Sequence, residues 1–155
     1  RRKASAHPRT RGPAAGRGFR TIEACPKAKL VTYLDLPANP APAEGVRAAE
    51  NILTAHPNVK VFLVIGDSAA MGFSQAVRAY APKDLDKYAI FSGDVNPENI
   101  PLIEGCKDPY RGAVAIGGGP EDLAQRTYEL VKKMVLGQPF PAETLDPLVT
   151  ITCKK

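Results

Sequence analysis

Histidine is scarce in this 155-residue chain, tryptophan is missing, and cysteine occurs only three times. Each shortage removes a class of chemistry. Neither His7 nor His56 lies near Cys25, Cys106 or Cys153, and no C-x-x-C pair occurs. The ligand spacing of a metal site is therefore lacking, and no metal is expected. An odd cysteine count leaves at least one thiol free and implies no disulfide framework. There is room for one bridge, between a pair the sequence leaves open. The phosphate-cradling patterns G-x-G-x-x-G and G-x-x-x-x-G-K-[ST] do not occur in strand-to-helix context. Gly117-Gly118-Gly119 is followed by Pro120 with no lysine, although a glycine turn at a helix start can accept an anion. No cofactor is expected. No apolar run approaches the roughly 20 residues of a membrane-spanning helix.

Acidic residues are missing from the first 20 positions. Seven of the 21 basic residues and none of the 16 acidic ones lie there, so the leader carries +7 and the remainder −2. The net charge of +5 is thus a property of the leader alone. Residues 1–17 have neither aromatic interleaving nor a helical period, and they lack the apolar core of a secretory signal. A disordered basic leader is expected over 1–17, followed by one domain over 18–155. The mildly acidic domain argues against nucleic acid as a partner.

One local pattern invites an enzymatic reading. Gly66-Asp67-Ser68-Ala69-Ala70 is one residue away from the G-x-S-x-G nucleophile elbow, which exposes a serine between strand and helix. A serine hydrolase using this elbow needs a histidine base, and in the usual chain order that histidine follows the serine. Both histidines here precede Ser68. His56 should lie at the other end of the strand leading to it. No catalytic residue is expected, and the elbow needs another explanation.

From about residue 28 onward, β-rich runs alternate with amphipathic ones. KLVTYLDL reads as a strand and APAEGVRAAENILTAHP as a helix with Pro42 in its first turn. Val46, Ala49, Ile52 and Leu53 form that helix's core face. VKVFLVI reads as a strand buried on both faces, and SAAMGFSQAVRAYA as the next helix. KYAIFSG, NPENIPLIEG, RGAVAIGGG, PEDLAQRTYELVKKMVLGQ and PLVTIT continue the alternation. Asn96 stands at the N-cap and Pro97 at the first position of the short helix. Strands alternating with helices predict an α/β fold with a doubly wound parallel sheet, a Rossmann-like three-layer sandwich.

Right-handed crossovers bring every strand-to-helix loop to one sheet edge. The loops expected there carry Asp35, Gly66-Asp67-Ser68, Gly93-Asp94-Val95-Asn96 and Gly117-Gly118-Gly119. In open α/β sheets, ligands bind in the crevice outside the carboxyl ends of the strands. Glycines let backbone approach a ligand, while carboxylates and amides bond its hydroxyls. Asp67, Ser68 and Asn96 have the plainer alternative of capping their helices.

The stretch AAENILTAHPNVKVFLVIGDSAAMGFSQAVRAY, with AIFSGDVNPENIPLIEG and YELVKKMVLGQPFP after it, resembles the ribose-binding-protein-like type I group of periplasmic sugar-binding proteins of ABC transporters. The likeness runs from about Gly18 to Thr152 and covers the carboxyl-terminal lobe of a two-lobed, hinged protein. It implies a periplasmic-binding-protein-like lobe, a sugar-like small-molecule ligand, an ABC permease as partner and a periplasmic or cell-envelope location. It also implies a monomer without its amino-terminal lobe, and it makes Ser68 a helix-start residue.

Asp94 matches the family's sugar-hydroxyl acceptor. The family's asparagine before Asp67 falls on Gly66, and its last-loop glutamine falls near Gly118. The stacking aromatic falls near Pro40, beside Asn39, and an arginine falls on Ala15. The ligand-binding candidates are therefore Asp94, Asp67, Gly66, Asn96, Gly118 and Asn39. An effector-binding domain of a LacI-type transcription regulator has the same fold, but residues 1–20 cannot supply its helix-turn-helix.

Overall fold

A computed structural model describes residues 24–37, 40–117 and 120–154. The chain divides between Tyr33 and Leu34 into two units. Among the described residues, all helices and strands belong to the second. They follow the order α1 (Pro42–Ala55), β1 (Val61–Val64), α2 (Asp67–Tyr80), β2 (Ala89–Ser92), α3 (Ile100–Glu104), β3 (Tyr110–Ile116), α4 (Pro120–Val135) and β4 (Leu148–Thr152). Short 3-10 turns at Leu85–Lys87 and Pro97–Asn99 lead into β2 and α3.

The class is α/β with a mostly parallel sheet, as expected. Strand order is β1-β2-β3-β4, with β1, β2 and β3 parallel. β4 departs from the expectation and runs antiparallel to β3, pairing Ala113 with Ile151 and Ala115 with Val149. The reason is the connection. α4 ends in two backbone bonds, Gly137 N–H to Met134 and Gln138 N–H to Lys133, and an irregular stretch follows before β4. That stretch carries the chain back to the end of β3 from which it left, so β4 starts where β3 stops.

α1 forms where the sequence predicted it, with Pro42 at the first position and Glu44 Oε2 accepting the Ala41 N–H at 2.9 Å. Ala49 and Leu53 are buried, with Val46 and Ile52 packed against them. α1 lies so close to α2 that a Cβ on Gly72 would stand 2.1 Å from the Pro42 carbonyl oxygen, and one on Gly45 2.4 Å from that of Ala69. Glycine is what lets these two helices touch backbone to backbone. Beneath them Phe62 and Phe73 meet edge to face, 5.3 Å between centroids, and Leu53, Val77, Ile90, Ile103 and Tyr110 complete the core.

Two strand expectations fail. KLVTYLDL forms no strand: residues 29–36 are irregular, and Leu30, Val31, Tyr33 and Leu34 are exposed. β propensity describes fitness for a pleated, half-buried surface, and a run without a ladder has no such surface. β1 was expected to be covered on both faces. Instead Phe62 and Val64 are buried, while Val61, Leu63 and Ile65 are 58%, 60% and 88% exposed. The sheet face away from α1 and α2 is open at β1, and Phe91 on β2 is exposed as well.

Candidate functional site

Ile65 and Gly66 turn the chain from β1 into α2. Gly66 sits at φ 123°, a backbone conformation closed to side chains at low cost, and it is the N-cap of α2. Because this cap has no side chain, capping does not explain the neighbouring residues. Asp67 is the first residue of the helix and turns inward, with 4% of its surface exposed. The helix N-terminus favours its negative charge. Side chains from two other elements supply its hydrogen bonds. Asp67 Oδ2 accepts from Asn96 Nδ2 at 2.8 Å and Asn99 Nδ2 at 2.7 Å, and Oδ1 accepts from the Tyr110 hydroxyl at 3.1 Å.

Asn96 does stand at the N-cap of the turn Pro97–Asn99, but its side chain makes no cap bond. Its amide nitrogen donates to Asp67, a hydrogen bond strengthened by the carboxylate's charge. Asp94 lies one strand over, after β2. Its side chain is exposed, and Oδ1 accepts the Val95 N–H at 2.8 Å. Among the described residues none bonds the other carboxylate oxygen. The structure thus brings Gly66, Asp67, Asp94 and Asn96 to the carboxyl ends of β1 and β2. Asn39 and Gly118 lie outside the described residues, as does the leader over 1–17.

Sequence reasoning missed Ser92, Asn99 and Tyr110. The Ser92 hydroxyl donates to the Asp94 carbonyl and lies 2.5 Å from the Tyr110 hydroxyl, whose oxygen is 3.3 Å from that carbonyl. Burial pushes the Tyr110 phenol well above its ordinary value. The bond to Ser92 opposes the shift, and the Asp67 charge adds to it. The signal for Ser92 was present, since it is a hydroxyl in the buried phase of an otherwise apolar strand. Tyr110 lay one residue outside the expected strand, which was drawn from Arg111.

A second buried carboxylate fixes the start of β3. Asp108 Oδ1 accepts from Ser74 Oγ at 2.5 Å and from the Tyr110 N–H at 2.9 Å, while Arg78 lies 3.4 Å from Oδ2. Both ends of this arrangement tie α2 to β3, with Tyr110 between them.

Ser68 is exposed at the second position of α2, and among the described residues no histidine bonds it. His56 follows α1, before β1, and so lies on the other side of that strand in sequence. No group of three or more His, Cys, Asp or Glu side chains that could hold a metal occurs among the described residues. No described helix is long and apolar enough to cross a membrane. Cys106 and Cys153 form a disulfide, with Cα atoms 5.0 Å apart, and Cys25 is free.

This arrangement of sheet and helices has counterparts among solved structures. An ABC sugar transporter subunit from Rhodobacter sphaeroides 2.4.1 superposes with a TM-score of 0.75 at 20% identity, over 89% of this chain and 49% of that one. The fold is that of a type I periplasmic-binding-protein lobe. A periplasmic solute-binding protein from Actinobacillus succinogenes 130z, with bound D-allose, gives 0.76 at 20% identity over 88% and 46%. A 5-methylthioribose transporter solute-binding protein from Thermotoga lettingae TMO gives 0.73 at 19% over 88% and 42%. The chain spans about half the length of these structures. No protein-family model matches the chain, and neither does any curated protein.

Proposed function

We propose that this chain is a lobe of the solute-binding component of an ABC transporter, taking a sugar or sugar-like molecule without catalysis. The observation that carries the reading is the half-length likeness to an ABC sugar transporter subunit and to two solute-binding proteins, one with bound D-allose and one with 5-methylthioribose. The crevice edge supports it. Asp94 presents a carboxylate oxygen for a hydroxyl, Asn96 has an amide carbonyl to spare, and Gly66 keeps the backbone open beside them. Asp67 contributes from below by holding Asn96. Asn39 and Gly118 are the remaining candidate contacts.

Such proteins work by closing two lobes around a ligand, so a second lobe and a permease are the partners this reading requires. The Cys106–Cys153 bridge fits an oxidising compartment such as the periplasm or cell envelope.

The test is a thermal-shift screen against pentoses, hexoses, polyols and inositols, with Asp94→Ala alongside. A ligand raises the melting temperature only by favouring the folded state. The expected result is a shift with one class of sugar that Asp94→Ala abolishes. A shift that survives Asp94→Ala removes Asp94 from the site. A cooperative melt that no sugar moves, repeated with an amino-terminal lobe supplied in trans, would sink the sugar reading.

A further inference from the structure

We infer that Tyr110 is a positioning residue, holding the Asp94 loop in place from beneath through Ser92 and Asp67. The inference rests on the sugar-binding reading only for what Asp94 then contacts. The loop from Gly93 to Asn96 leaves β2 with Gly93, Asp94 and Asn96 exposed and Val95 packed into the core. Its polar ties, apart from one backbone bond, run downward. Gly93 N–H bonds the Val64 carbonyl at 3.1 Å. The Asp94 carbonyl takes the Ser92 hydroxyl, with the Tyr110 hydroxyl 3.3 Å away. Asn96 bonds Asp67, which Tyr110 also bonds. Asp94 and Asn96 therefore converge on one phenol.

Tyr110 is fully buried, at 0% exposure; the core's other tyrosine, Tyr88, takes a hydrogen bond from Lys60 Nζ at 2.8 Å, whereas the Tyr110 hydroxyl meets Ser92, Asp67 and the Asp94 carbonyl. Phenylalanine would fill that volume without a polar atom to satisfy. The Tyr110 proton goes to the Asp67 carboxylate, so the single Ser92 proton is shared between the phenol oxygen, 2.5 Å away, and the Asp94 carbonyl. Removing the phenol oxygen takes a partner from Asp67 and Ser92 together. The loop's two anchors then lose their common reference, while the backbone pairing of β2 with β3 stays in place.

The experiment is amide hydrogen exchange by NMR on the full chain, for wild type, Tyr110→Phe and Ser92→Ala. Val95 is the reporter because its N–H bonds the Asp94 carboxylate. The expected result is exchange at Val95 at least tenfold faster in Tyr110→Phe, with Leu53 and Ile90 changing less than twofold. Should Tyr110→Phe fail to fold, Ser92→Ala carries the same expectation. Acceleration at Val95 no greater than at Leu53 and Ile90 would mean that the phenol is merely structural, and it would overturn the inference.

D-allose and D-ribose titrations of the same proteins separate this inference from the functional reading. If a sugar binds and Asp94→Ala abolishes the binding, Tyr110→Phe should weaken it at least fivefold, and unchanged affinity overturns the inference. If neither sugar binds, the functional reading loses support, and the exchange data still decide the role of Tyr110.

Discussion

Asp67 holds two amides and a phenol, all drawn from other elements, on a carboxylate that water barely reaches. Hydrogen bonds to a charged group contribute about 1.5–3 kcal/mol each, and leaving their partners buried and unpaired costs more than replacing the whole set. Asp67→Ala should therefore lower unfolding free energy by about 3 kcal/mol, read from urea melts. Tyr110 adds a dependence on pH. Its folded pKa is raised above the ordinary 10.0, so the fold favours the neutral phenol. That contribution is complete below the ordinary value and is lost as pH climbs through and above it. Between about pH 8 and about pH 11 the wild type should lose more stability than Tyr110→Phe. Parallel losses would mean that burial does not hold this proton.

At the scale of elements, α1 and α2 meet through Gly45 and Gly72, where the spacing leaves no room for a methyl group. Gly72→Ala should cost about 1–3 kcal/mol, the usual penalty for forcing extra volume into a packed contact. The same substitution at Gly93, whose surroundings are open, should cost little. α1 was legible in the sequence because Val46, Ala49, Ile52 and Leu53 fall at helical spacing and Pro42 marks a start, and α2 because SAAMGFSQAVRAYA follows an apolar strand. β4 was legible as a strand but not in direction, since direction follows from the path after Gly137, which no local pattern encodes. KLVTYLDL misled for the opposite reason: its residues suit a strand, yet pairing depends on a neighbour. The site was half legible. Asp67 and Asp94 announced themselves beside glycine at strand ends. Ser92 and Tyr110 sit in apolar runs, and their importance arises only when three elements converge.

For the molecule as a whole, β1 is an edge strand among the described residues, without proline or bulge, and Val61 and Leu63 on it and Ile65 just after it are exposed and apolar. Edge strands of this kind are templates for pairing with another chain. The chain should self-associate at high concentration, and Leu63→Lys with Ile65→Lys should lower the light-scattering mass without changing the melting temperature. An equal mass in the double variant would place the association elsewhere. The disulfide ties β4 to the loop before β3 across 47 residues of sequence. Bridges of that span contribute about 2–4 kcal/mol, so reduction should lower the melting temperature measurably. The same bridge also governs how the chain comes apart when cut. α4, which carries Lys132 and Lys133, lies wholly between the two cysteines. A protease nick there leaves both pieces on one covalent thread, so a nicked molecule would run as a single band on a gel until a reductant is added.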